Sequence, residues 1–262
     1  MLAFTHDFLC HAADLALDAV FPRRCIACRT WSSDAFCNSC RAALQPIVEP
    51  FCARCGSPLE SSSGACADCR DNFADNFAGA APPFESMRSV FRFEGAIRRA
   101  VHRFKYDGKW AFAAPLAREM IALLENQSSA PRIPIERIEI VAPVPLHGWR
   151  KFRRGYNQSA LLAQAIAAHF QKTVPNNGVL FADILRRSRY TPPQVELDRE
   201  ARGDNVRGAF AVRENYSPGG AILLIDDVCT TGATISECAR VLKSAGAAEV
   251  YALTLARGIG SV

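Results

Sequence analysis

Two adjacent carboxylates run into small and hydroxyl side chains at Asp226-Asp227-Val-Cys-Thr230-Thr231-Gly232-Ala233-Thr234, the densest chemistry in the chain. Thr230, Thr231 and Thr234 offer hydroxyl donors, while Gly232 and Ala233 let backbone N–H groups approach an anion closely. A helix starting near Thr234 adds the positive end of its dipole, so one phosphate is held with little side-chain charge. Paired carboxylates alone would repel that phosphate. Vicinal ribose hydroxyls, each able to donate a hydrogen bond, suit them. A ribose 5-phosphate is the ligand this combination predicts. The plainer reading has Asp226 and Asp227 capping a helix and the threonines filling a turn. A P-loop fails, because no Gly-Lys-Ser/Thr follows and the loop's only glycine is Gly232.

Such a loop needs a rigid strand before it and a helix after it. Five apolar residues, Ala221 to Ile225, lead into the carboxylates, and Ile222 to Ile225 has the β-branched character of a central parallel strand. Apolar residues at Ile235, Cys238, Ala239 and Leu242 predict a helix over Ile235 to Ser244. A second strand is expected at Arg137 to Ala142, followed by Pro143-Val144-Pro145-Leu146 and then Arg150, Lys151, Arg153 and Arg154. Two prolines and four cations there make a positive loop at a strand's carboxyl end, the edge where open parallel sheets bind ligands. Those cations suit a diphosphate or a nucleic-acid backbone. Asn157 is expected to cap a helix running to Phe170. Strands at Ser89 to Phe93, Gly208 to Val212 and Val250 to Leu255, and helices at Ala96 to Lys105 and Ala111 to Glu125, complete an α/β pattern. Arg98, Arg99, Arg103 and Lys105 fall on or near one side, as a solvated basic face or a contact to a polyanion. The charged segment Arg186 to Asn205 is too polar for core and is expected to fold over a substrate and exclude water, the plainer alternative being an ordinary exposed connection.

At 262 residues and 49% apolar, the chain has room for a main domain with an appendage. A net charge of +5 and pI near 8.7 permit a nucleic-acid or phosphate partner without requiring one. Of eleven cysteines, nine precede residue 70, and eight form Cys-x-x-Cys pairs: Cys25/Cys28, Cys37/Cys40, Cys52/Cys55 and Cys66/Cys69. Four pairs make two closed tetrathiolate sites with no open coordination position, which predicts two structural zinc ions and a reducing, cytoplasmic setting. Cys25 to Cys69 has too few large apolar residues for a core of its own, so metal must supply much of its folding energy. Sequential pairing closes the shorter loops; a cross-braced arrangement stays open. Residues 1–21 are expected to form an amphipathic helix docked on the protein, too acidic for a signal sequence and too interrupted to span a bilayer. The division expected is residues 22–70 for the cysteine module, 71–84 for a linker rich in Asn, Asp, Gly and Pro, and 85–262 for the main domain.

Asp226 to Thr234 resembles the phosphoribosyl-diphosphate (PRPP) loop of the type I phosphoribosyltransferases, with Pro143 to Leu146 in the place of their pyrophosphate loop. Together with Arg153-Arg-Gly-Tyr-Asn-Gln158, Arg189-Tyr-Thr-Pro-Pro-Gln194 and the cysteine module in front, the chain resembles the ComF family from about Pro22 to Leu255. That resemblance implies a type I phosphoribosyltransferase-like, doubly wound, mainly parallel sheet with an N-terminal double zinc ribbon. It implies a link to incoming single-stranded DNA and the DNA-uptake machinery of natural competence, with no membrane span. By the same resemblance Asp226 and Asp227 hold ribose, and Thr230, Thr231, Gly232, Ala233 and Thr234 hold the 5′-phosphate. Pro143, Val144, Pro145, Leu146, Arg150, Arg153 and Arg154 take the diphosphate, with magnesium bridging it to the ribose hydroxyls. No acceptor and no general base is legible. Phosphoribosyl transfer, non-catalytic PRPP or nucleotide sensing, and a single-stranded DNA adaptor all stay open.

Overall fold

The apolar run ahead of the two carboxylates forms a strand, and in the computed structural model it is the middle strand of a five-stranded parallel sheet. The structure describes residues 24–60, 64–67, 69, 82–107, 110–127, 132–146, 152, 154–174, 178–188, 206–214, 216–217 and 219–259. Its elements are α1 (Asn38–Ala42), β1 (Ser86–Arg92), α2 (Gly95–Tyr106), α3 (Ala113–Glu125), β2 (Ile138–Pro143), α4 (Gln158–Thr173) and β3 (Leu180–Phe181). There follow β4 (Leu185–Arg187), β5 (Phe210–Val212), β6 (Ala221–Cys229), α5 (Ala233–Ser244) and β7 (Glu249–Arg257).

The sheet runs β1-β7-β6-β2-β3, and β4 pairs antiparallel with β5 beside it. From β2 the chain passes outward to β3 and later returns on the other side of β2 as β6. The carboxyl ends of β2 and β6 are therefore a topological switch point, where a doubly wound sheet opens a crevice. At that point Pro143 pairs with Ile225, and the Val144 N–H donates to the Ile225 carbonyl at 2.9 Å.

Side chains of β6 alternate between two cores, as the pleat requires. Leu223 and Ile225 pack among Val101 and Phe104 of α2, Leu116 and Met120 of α3, and Leu162 and Ile166 of α4. Ile222 and Leu224 share the opposite core with Ile235, Cys238, Ala239 and Leu242 of α5. Both faces are covered, which is why the strand reads as a continuous apolar run rather than an alternation.

The cysteine module solves an edge problem. As an outermost strand, β1 would present unpaired backbone groups to any passing chain. Gln45 and Ile47 occupy that edge: Arg92 N–H donates to the Gln45 carbonyl at 2.8 Å, and Ile47 N–H to the Val90 carbonyl at 2.9 Å. This segment lies between the two halves of the module, so the halves fall on opposite faces of the sheet. Ile26, Phe36 and Leu44 join the α2–α3–α4 core, and Cys52 and Cys55 join the α5 core together with Met87. Phe84, at the end of the stretch read as a linker, is buried in that second core. Residues 71–81 and the expected helix over 1–21 lie outside the described residues, as does most of the charged segment, 189–205. Among the described residues no helix is long and apolar enough to cross a membrane.

Candidate functional site

The strand carries its polar end further than its apolar run suggests. β6 continues through Asp226 and Asp227 to Cys229, paired with β7 up to Arg257, before Thr230 and Thr231 turn into α5. Gly232 makes that turn as the N-cap of α5 at φ +84°, a left-handed conformation that costs a residue with a Cβ. Its carbonyl accepts from Ser236 N–H at 2.9 Å, and Thr231 Oγ1 accepts from Ala233 N–H at 3.4 Å. Asp226, Val228 and the loop from Cys229 to Ile235 line one small concavity. A carboxyl at one wall and the N-terminus of a 12-residue helix at the other can seat a polyol and an anion side by side.

The two aspartates are not equivalent. Asp226 Oδ1 accepts from Ser159 Oγ at 2.8 Å and from Asp227 N–H at 2.9 Å. Burial pushes its carboxyl up to about 7, and the neighbouring Asp227 charge adds to the rise, against the Ser159 hydrogen bond and the Lys105 charge. Asp227 is buried, with Lys105 Nζ of α2 at 2.9 Å from its Oδ1. The carboxyl at the concavity is thus Asp226, and Asp227 is neutralised from behind.

One asparagine links the second loop to the site. Asn157 caps α4 as expected, its Oδ1 accepting from Ser159 N–H at 3.2 Å, while its Nδ2 donates to the Val144 carbonyl at 3.1 Å. Pro143, Val144 and Pro145 are buried and Leu146 is half-buried beside them. Arg154 turns to Tyr106, donating to its hydroxyl at 3.1 Å and to Gln158 Oε1 at 3.3 Å. Its guanidinium lies 4.8 Å over the Tyr106 ring. Arg150, Lys151 and Arg153 lie outside the described residues.

The basic side expected on α2 is divided. Arg98 and Arg99 are exposed, but Arg103 and Lys105 point inward. Arg103 donates to the carbonyls of Cys25 at 3.1 Å and Ile26 at 2.7 Å, seating the first half of the cysteine module. Helical periodicity puts Lys105 on the basic side of α2 and does not single out Ser159. A hydroxyl two residues past a capping Asn at the ligand edge was the one available signal for Ser159; nothing local marks Lys105.

The eight cysteines of the module form two clusters, Cys25, Cys28, Cys37, Cys40 and Cys52, Cys55, Cys66, Cys69, with the sulfurs of each within 4.8 Å of one another. The pairing is sequential. None of the eight is in a disulfide, and the Cys28–Cys37 and Cys55–Cys66 sulfurs lie 3.5 and 3.6 Å apart. Four sulfurs around zinc at about 2.3 Å stand about 3.8 Å from one another, so this donor set fits a closed tetrahedral zinc site in each cluster.

Comparison with known proteins agrees with both halves of this architecture. Residues 16–70 match the double zinc ribbon domain, and residues 157–261 match the phosphoribosyl transferase domain. The DNA utilization protein YhgH of Salmonella typhimurium is 30% identical over 241 residues, spanning 90% of this chain and 97% of that one. Competence protein F of Haemophilus influenzae is 28% identical over 90% of this chain and 98% of its own length. Competence protein ComFC of Bacillus subtilis is 28% identical over 84% and 83%. With a zinc-ribbon module wrapped on the edge of a phosphoribosyltransferase-like sheet, and competence proteins matching it over most of its length, the chain belongs to the ComF family.

Proposed function

We propose that the β6–α5 loop binds the 5-phosphoribosyl group of PRPP or a related ribose phosphate, in a protein that serves the handling of incoming single-stranded DNA. The observation that carries the ligand is the concavity at the N-terminus of α5 with Asp226 in its wall. The 5′-phosphate sits against Thr230 to Thr234, and Asp226 faces the ribose side, with Asp227 behind it paired to Lys105. The lysine behind Asp227 removes one negative charge that would otherwise repel the phosphate. Pro143 to Leu146, with Arg150, Arg153 and Arg154, takes the diphosphate. Magnesium bound with PRPP would supply charge neutralisation there, and Asp226 would offer it a carboxylate oxygen. As diphosphate leaves, the anomeric carbon becomes cation-like, and an ionised carboxylate beside the ribose stabilises that charge. The DNA role rests on the relatives named for competence and DNA utilization, and eight cysteines grouped for zinc rather than for disulfides suit a reducing cytoplasm.

A binding role without transfer is the second reading. It is favoured by one observation: among the described residues Asp226 is the single carboxyl lining the concavity, and it is already engaged by Ser159. Incubating purified protein with PRPP and magnesium, alone and with a panel of nucleobases and single-stranded DNA, separates the two. Turnover selects the transferase; stoichiometric binding selects the sensor; neither rejects the proposal. Labelled single-stranded DNA titrated at two salt concentrations tests the partner, with a slope of about −0.7 per phosphate contacted. Replacing Arg150, Lys151, Arg153 and Arg154 by Ala should flatten that slope, and PRPP should compete.

A further inference from the structure

Arg257, the last residue of β7, is a guanidinium with only 4% of its surface exposed. It donates to the Cys55 carbonyl at 3.0 Å and reaches Cys55 Sγ and Cys229 Sγ, each at 3.5 Å. Cys55 belongs to the second cysteine cluster, and Cys229 forms part of the concavity at the phosphate loop. The Cys229 sulfur in turn lies against Gly232, 4.0 Å from where a Cβ of that residue would stand, at the turn that points the loop at its anion. One buried arginine therefore touches a zinc-site cysteine and the base of the loop at once.

A second strut runs parallel to it. Met87 N–H donates to the Arg54 carbonyl at 2.8 Å, and a Cβ added to Gly56 would fall 2.5 Å from the Met87 carbonyl. The second ribbon and β1 thus meet backbone to backbone. The methyl end of Met87 lies 4.0 Å from where a Cβ of Gly232 would stand. The first cluster is seated differently, by Arg103 against α2 on the other face of the sheet.

We propose that Arg257 is a positioning residue that couples the second zinc site to the phosphate loop, so that metal in one and phosphate in the other stabilise each other. A buried guanidinium needs acceptors, and the cysteines of a metal-loaded cluster hold it in place; when the cluster collapses it must find others, moving Cys229 with it. Coupling of this kind is reciprocal. The ligand half of the proposal rests on the phosphoribosyl reading of the loop; the mechanical half does not.

The test uses the full chain loaded with two zinc ions and a colorimetric chelator that reports zinc release. If metal leaves the second site only from the ligand-free state, PRPP at ten times its dissociation constant slows release of one zinc about tenfold and leaves the other unchanged. Cys28→Ser, which damages the first site, should leave the protected zinc as the one retained. Arg257→Met should abolish the protection and, with both zincs still present by metal analysis, raise amide exchange across residues 229–235. Protection of both zincs or of neither, with PRPP bound by calorimetry, overturns the coupling. If calorimetry finds no PRPP binding, the assigned ligand fails and the exchange measurement decides alone: faster exchange in Arg257→Met supports the coupling, and unchanged exchange overturns it. Should Arg257→Met fail to fold, the wild-type protection pattern still decides.

Discussion

Lys105 Nζ lies 2.9 Å from Asp227 Oδ1, and that contact makes two neighbouring aspartates into different groups. The lysine sits near the end of α2, 122 positions before its partner, and it leaves Asp226 as the carboxyl that faces the concavity. The pair is largely but not wholly buried, with side-chain exposures of 22% and 9%.

Removing the lysine alone should therefore strand a buried charge. Lys105→Met is expected to cost about 2 kcal/mol, between the values for exposed and fully buried pairs. Lys105→Met with Asp227→Asn should recover most of that loss in urea unfolding. Equal destabilisation in the single and double variants would show that the pair carries no such coupling.

Asp226 sets a pH dependence of definite sign. Its carboxyl rises from 3.8 to about 7, driven first by burial, so between those values the folded chain holds a proton the unfolded chain has released. Stability from this group is fully present below about pH 4 and is lost as pH rises through about 7. Asp226→Asn, which cannot ionise, should flatten that decline and unfold at a higher temperature than wild type at pH 8 in the absence of ligand. Parallel melting curves across the range would contradict it.

The ribbons should unfold with the sheet. Ile26 and Phe36 share a core with α2 and α3, Cys52 and Cys55 share one with α5, and Gln45 and Ile47 cover β1. Cys28→Ser or Cys52→Ser should accordingly lower one cooperative transition of the whole chain. Arg103→Met, which removes two charge-assisted bonds to ribbon carbonyls, should destabilise the same transition by about 2 kcal/mol. Two separated transitions in denaturant, with the later one at the wild-type midpoint, would show the module to be an independent unit.

Much of this was readable from local sequence because the signals are local. The run Ile222 to Ile225, the hydroxyl-rich turn after it and the cap at Asn157 are each set by a few consecutive residues, and each occurs as read. Cys-x-x-Cys spacing announces the clusters; loop length favours sequential pairing over the cross-braced alternative, and the sulfurs group sequentially. What escaped depends on distant partners. Composition predicts the last strand over Val250 to Leu255, whereas it runs Glu249–Arg257, because a charged residue argues against a buried strand end until its cysteine acceptors are known. Arg103 and Lys105 read as surface charge for the same reason: periodicity places them on a helix but cannot show that a ribbon and a carboxylate pack against that helix. The extension of β6 past Ile225 is held by its pairing with β7, a relation between strands that one strand's composition does not carry.

The central claim is that Asp226, with Asp227 held behind it by Lys105, and the α5 loop together bind a ribose phosphate. Calorimetric titration of PRPP with magnesium into wild type and into Asp226→Asn/Asp227→Asn tests it most directly. Loss of charge-assisted bonds at the ribose should weaken binding by about 3 to 6 kcal/mol, abolishing the signal while the fold is retained by circular dichroism. Unchanged PRPP affinity in a folded double variant would contradict the account.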